Sequence, residues 1–138
     1  MRLAMAQINP TVGDLQGNLR RIKDAIRRSE EGGADLVVLP ELCISGYPPK
    51  DLLARPVFVR ECREALDELV GGVGDTAALV GFPEENTGSK GKPVFNSCAF
   101  VERSKIVSIV RKSLLPTYDI FDENRHFEPA PTCSPVRF

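Results

Sequence analysis

Two near-continuous apolar runs, Leu3 to Ile8 and Asp35 to Pro40, bracket a segment whose apolar residues recur every three or four positions. Leu15, Leu19, Ile22 and Ile26 fall on one stripe with charges between them, the pattern of an amphipathic helix from Leu15 to Glu31. Asn9 to Asp14 carries turn chemistry before it, and Gly32-Gly33 follows it. The flanking runs read as buried strands, and an uninterrupted apolar run suits a parallel sheet. Strand, helix and strand make a βαβ unit, which commits the chain to an α/β fold.

The rest extends that unit. A second helix is expected from Pro56 to Val70, with Val59, Cys62, Leu66 and Leu69 inward and proline in its first turn. A third strand is expected from Thr76 to Gly81, then a polar connection from Glu84 to Lys92. Val94 to Val101 and Lys105 to Arg111 read as an antiparallel pair joined at Glu102-Arg103-Ser104. Residues 113–135 hold several prolines and no clean period, so they read as a long loop of the functional kind. Pro135 to Phe138 looks like the start of a strand.

Composition narrows the function classes. The chain has 138 residues, 42% hydrophobic and 27% charged, which suits one soluble domain. Its net charge of -1 gives no global pull toward nucleic acid or an anionic membrane. The basic stretch from Arg20 to Arg28 is flanked by Asp14, Asp24, Glu30 and Glu31, and reads as a solvated helix face. No apolar run reaches the roughly 20 residues of a membrane span. The first residues lack a signal-peptide core, so a cytoplasmic protein is expected. Cys43, Cys62, Cys98 and Cys133 fit no Cys-x-x-Cys spacing and are expected as reduced thiols. A single histidine, His126, rules out a histidine-rich metal site within this chain.

Two charged residues sit where apolar strands end. Glu41 follows the second strand, and sites in open α/β sheets form beyond the carboxyl ends of strands. Between Pro40 and Leu42 it is expected to be partly desolvated, as suits a general base. The alternative is a capping or salt-bridged glutamate, but the turn and aromatic of Ser45-Gly46-Tyr47-Pro48-Pro49 favour a built pocket. Lys112 ends the last strand and can stabilise an oxyanion; alone it would read as a surface lysine. Arg111, its neighbour, is expected to face solvent. In the long loop, Tyr118 offers an aromatic wall, Glu123 can hold Lys112, and His126 reads as a surface residue on a loop pinned by Phe121 and Phe127. The glycines at 71, 72 and 74 follow a helix and lack a Lys-Ser/Thr partner, so they form no phosphate loop.

Leu39-Pro40-Glu41-Leu42, Gly46-Tyr47-Pro48 and Arg111-Lys112-Ser113-Leu114-Leu115-Pro116 resemble the carbon–nitrogen hydrolase (nitrilase) superfamily. Gly46 to Leu53, Leu114 to Pro129, the opening Ala6-Gln7-Ile8-Asn9-Pro10 and Val94-Phe95-Asn96-Ser97 resemble, within it, the glutaminase domains of glutamine-dependent NAD+ synthetases. The resemblance covers nearly the whole chain. It implies an αββα sandwich, here its N-terminal part, with a mixed sheet and helices on one face. It implies a Glu-Lys-Cys triad in which Glu41 is the base and Lys112 holds the oxyanion. Tyr118 and Tyr47 would line the pocket for L-glutamine, and Glu123 would be a second glutamate positioning the triad. No cofactor is implied for the glutaminase half; ATP and Mg belong to a separate synthetase domain that consumes the ammonia. A homo-oligomer is expected as well.

The chain departs from that pattern at the nucleophile. The family's cysteine follows a further strand in a Cys-Glu-Asp word, and no such word is present. Cys133 lies in a proline-rich stretch, and Cys43, Cys62 and Cys98 read as packing residues. Residues 1–138 are therefore expected to be a domain incomplete at its C-terminus, inactive alone and prone to association at an unpaired sheet edge. The rival readings are another nitrilase-superfamily amidase and a non-catalytic interaction module on the same fold.

Overall fold

The computed structural model describes residues 1–119, 121–132 and 134–136. Among them, strands β1 (Leu3–Met5), β2 (Leu36–Val38), β3 (Ala77–Glu85), β4 (Val94–Glu102) and β5 (Lys105–Arg111) form one sheet in chain order. β1, β2 and β3 run parallel; β3, β4 and β5 run antiparallel. This is the mixed α/β sheet that the sequence implies.

Helices α1 (Leu15–Glu31) and α2 (Pro56–Val70) have the bounds read from their periodicity. Asp14 caps α1 by accepting a hydrogen bond from the Gly17 N–H at 2.9 Å. Just past its end, Gly33 takes a left-handed φ of 69°, which ends the helix cleanly. Both helices cover one sheet face. Ala4, Val37 and Ala78 point toward them, and Leu19, Ile22, Ile26, Cys62, Leu66 and Leu69 complete that core. Fully burying a side chain such as Ile22 or Leu66 stabilises the fold by about 1.5–3 kcal/mol. The pleat sends Leu3, Leu36, Met5, Val38 and Leu79 to the opposite face, where Leu3 and Met5 are exposed. The molecule is thus one helix layer on one sheet, half of an αββα sandwich.

Several boundaries differ from the sequence reading, among them β2, which spans Leu36–Val38 rather than Asp35 to Pro40. β1 stops at Met5 rather than Ile8: Ala6 still donates to Val38 O at 2.9 Å, but the Ile8 N–H turns back onto Ala6 O. β3 runs on to Glu85, through residues read as a connection. Asn86 donates to Pro93 O, which fixes the ladder phase and leaves Pro83 opposite Asn96 at a non-hydrogen-bonded position, where a missing N–H costs no ladder bond. The loop of 113–135 contains a single helical turn, α3 (Glu123–His126). Ser134, Pro135 and Val136 form no strand, and Arg137 and Phe138 lie outside the described residues.

Two glycines let the chain fold tightly around the end of β2. A Cβ on Gly81 would lie 2.4 Å from the Leu42 nitrogen, so only glycine lets the segment after β2 lie across β3. Gly46 has φ 77°, and its Cβ would meet Val12 Cα at 2.6 Å. Buried Asn18 ties that segment to α1, donating to Thr11 O and Ile44 O and accepting from the Thr11 N–H.

Candidate active site

Glu41 follows β2, and Lys112 follows β5. The antiparallel excursion through β3, β4 and β5 brings the two strand ends together. Lys112 Nζ donates to Glu41 Oε1 at 2.8 Å. It also lies 2.9 Å from Glu123 Oε2, a charge contact outside hydrogen-bond angles. The ammonium is therefore held between two carboxylates. Burial works against its charge, but Glu41 and Glu123 outweigh burial and raise the Lys112 pKa above the ordinary lysine value.

The long loop supplies Glu123 because it is anchored at both ends. Lys112 donates its N–H to Asn96 O, and Ala130 donates to Lys112 O. Phe127, 2% exposed, packs among Leu42, Leu53, Val59 and Val94. It forms a parallel bridge with Val94, and the Glu128 N–H donates to Val94 O. Glu123, at the start of α3, is 4% exposed. The Tyr47 hydroxyl donates to its Oε1 at 2.9 Å. Burial first, then the Glu123 contact, pushes the Tyr47 pKa well above its ordinary value, so this hydroxyl stays protonated. Tyr47 follows the tight turn at Gly46 and precedes a cis peptide bond to Pro48.

The other sequence candidates fall into place around this core. Glu41 is only partly desolvated: its side chain is 46% exposed. The reason is local. Leu42 takes φ 49° and turns fully into the core, leaving Glu41 over an open hollow of about 450 Å³. Leu39, Pro40, Asn96, Cys98, Val110 and Lys112 also line that hollow. Tyr118 is 69% exposed and meets Phe121 edge-on, with centroids 5.7 Å apart; Phe121 in turn faces Tyr47 at 6.3 Å. Arg111 also borders the hollow but is not free. It forms two hydrogen bonds to Glu84 and sits 4.2 Å above the Phe95 ring. Burial opposes the charge on Glu84, but Arg111 and Ser97 outweigh it and hold the carboxyl below its usual value. His126 is half-buried beside a second hollow with Tyr47, Lys50 and Phe121.

Asn96 is the site residue that sequence reasoning did not single out. Its Nδ2 donates to Glu41 Oε1 at 2.6 Å. The described cysteines offer no activated thiol. Burial pushes Cys43 and Cys62 up to about 12 and raises Cys98 as well. Cys133 lies outside the described residues. No cluster of metal-ligating side chains occurs among the described residues. No described helix is long and apolar enough to cross a membrane.

The carbon-nitrogen hydrolase profile matches residues 2–134, which contain both strand-end residues and the loop between them. The chain belongs to the carbon-nitrogen hydrolase family. Within the family it is similar to glutamine-dependent NAD(+) synthetases. It is 39% identical over 131 residues to that of Thermotoga maritima, across 94% of this chain and 22% of the relative. It is 42% identical over 132 residues to that of Synechocystis sp., across 93% and 24%. The crystal structure of a glutamine-dependent NAD(+) synthetase from Cytophaga hutchinsonii superposes with a TM-score of 0.90 at 26% identity, covering 100% of this chain and 23% of that one. An amidase from Nesterenkonia sp. superposes with a TM-score of 0.78 at 26% identity, covering 100% and 51%. This carbon-nitrogen hydrolase chain thus spans less than a quarter of the length of the synthetases it matches.

Proposed function

We propose that residues 1–138 are the N-terminal part of a glutaminase domain, one that releases ammonia from L-glutamine for NAD+ synthesis. The observation that carries this is the Lys112 ammonium set between Glu41 and Glu123. The similarity to glutamine-dependent synthetases over more than nine-tenths of the chain supports the choice of amide.

In this reading Glu41 takes the proton of a cysteine thiol supplied by a later part of the domain. The thiolate attacks the side-chain amide carbon of glutamine. The carbonyl electron pair moves onto oxygen, where Lys112 and a backbone N–H hold it. As the tetrahedral intermediate collapses, its C–N bond breaks and Glu41 returns the proton to the leaving nitrogen, which departs as ammonia. Water, deprotonated by Glu41, then hydrolyses the thioester to glutamate and free thiol. Tyr47 acts through Glu123, holding the carboxylate that keeps Lys112 charged and in place. Tyr118, at the mouth of the loop, meets the substrate from solvent.

The ammonia passes to a synthetase domain, which requires ATP and Mg; the glutaminase half requires no cofactor. The protein is cytoplasmic and a homo-oligomer, with no nucleic-acid or membrane partner. The present chain alone hydrolyses no glutamine, because none of its described cysteines carries an activated thiol. A second reading, an amidase for small aliphatic amides, draws on the superposition of this chain on 51% of the Nesterenkonia enzyme.

The test is ammonia release by the protein that carries this chain, compared on L-glutamine and on propionamide. Preference for glutamine supports the proposal; release from propionamide alone replaces it with the amidase reading. Glutamine hydrolysis by residues 1–138 alone, abolished by E41Q, would refute the inactivity of the isolated chain.

A further inference from the structure

We propose that Asn96 is a positioning residue that decides which oxygen of Glu41 acts as the base. The inference rests on the reading of Glu41 as the group that takes the thiol proton. Asn96 lies in β4 and is 4% exposed, so its amide must find partners within the protein. Its Nδ2 donates to Glu41 Oε1 at 2.6 Å. Chemistry fixes that orientation, because only the amide nitrogen can donate to a carboxylate. Lys112 Nζ donates to the same oxygen at 2.8 Å. Oε1 therefore holds two donors, whereas Oε2 has no partner among the described residues.

This asymmetry divides the work of one carboxylate. Oε1 is the anchored oxygen, its lone pairs occupied by Asn96 and Lys112. Oε2 keeps its lone pairs free on a side chain that lines the open hollow, and it is the atom that takes the proton. Asn96 also sets the other partner. Its backbone carbonyl accepts the Lys112 N–H at 2.8 Å. A single residue of β4 thus fixes the acid through its side chain and the cation through its main chain. Without the amide, Glu41 would pivot on its remaining contact to Lys112, and a base displaced by a fraction of an ångström works far less well.

The experiment measures kcat and KM for glutamine with N96S, N96A and N96D in the full-length protein, with thermal melting as the check on folding. Serine keeps a donor of shorter reach, alanine removes it, and aspartate keeps the shape but sets a carboxylate against Glu41. The expected order of kcat is wild type, N96S, N96A, N96D. N96A falls about 10- to 100-fold, with KM within about twofold. A residue that only fills space predicts N96D nearest to wild type; that order, or losses confined to KM, overturns the proposal. If N96S or N96A fails to melt cooperatively, the place of N96D relative to the other still decides; if N96D fails, equal kcat for N96S and N96A overturns the proposal. A wild type that releases no ammonia from glutamine overturns the proposed function and this inference with it. An active wild type with the space-filling order overturns this inference alone.

Discussion

Lys112 and Glu41, separated by 71 positions in sequence, meet at 2.8 Å where β5 and β2 end. Both residues lie just past the strands that carry them. Each is held by the sheet behind it and by a loop that other contacts fasten. Replacing the lysine therefore tests the chemistry and the architecture together. K112M removes the cation from the anion-stabilising position and is expected to lower kcat for amide hydrolysis by about 100- to 1,000-fold. Steady-state ammonia release by the full-length protein checks this, and a loss smaller than tenfold would count against the assigned role.

The same ammonium shapes stability at alkaline pH. Lys112 is raised above its ordinary value of 10.5 in the folded state. A raised lysine adds stability that is fully present below about pH 10.5 and is lost as pH climbs through the higher folded value. The melting temperature of the wild type should exceed that of K112M at pH 8, and the gap should shrink above pH 10.5. A gap that widens with alkali contradicts this.

Tyr47 is expected to matter for stability first. Y47F deletes the donor to Glu123 Oε1 and leaves a buried carboxylate oxygen without it. The cost is about 1–3 kcal/mol in denaturant unfolding. Activity falls as well, because Glu123 then holds Lys112 less firmly. Unchanged unfolding would show that the hydroxyl contact carries no net energy.

Gly81 is expected to tolerate no side chain. In G81A the new Cβ would press on the Leu42 nitrogen, and the backbone that carries Glu41 must shift. A stability loss of about 1–3 kcal/mol, together with a drop in kcat, is expected. Circular dichroism melting and kinetics on the same sample check both. Full activity in G81A would mean that this close approach does not set the position of Glu41.

How much of this was legible follows from the range of each interaction. The bounds of α1 and α2 were readable because an apolar stripe, Pro56 and the glycines at each end are local signals. Glu41 and Lys112 were readable because each follows an apolar run. The Asn96–Glu41 bond joins residues 55 apart and leaves no local mark, so an asparagine within a strand gave no sign of it. The Tyr47–Glu123 bond spans 76 positions in the same way. Glu84 and Arg111 looked like a loop residue and a solvated cation, because the continuation of β3 depends on the ladder phase around Pro83. The extent of Glu41's exposure is not legible from its apolar sequence neighbours, because the turn at Leu42 carries that neighbour away from it.

The most direct measurement is the rate of ammonia release from L-glutamine by the full-length protein and its E41Q variant. The amide keeps the shape of the side chain and cannot take a proton. The account predicts a fall in kcat of at least about 1,000-fold with the fold intact. An E41Q protein that melts like the wild type and hydrolyses glutamine at a comparable rate would contradict it.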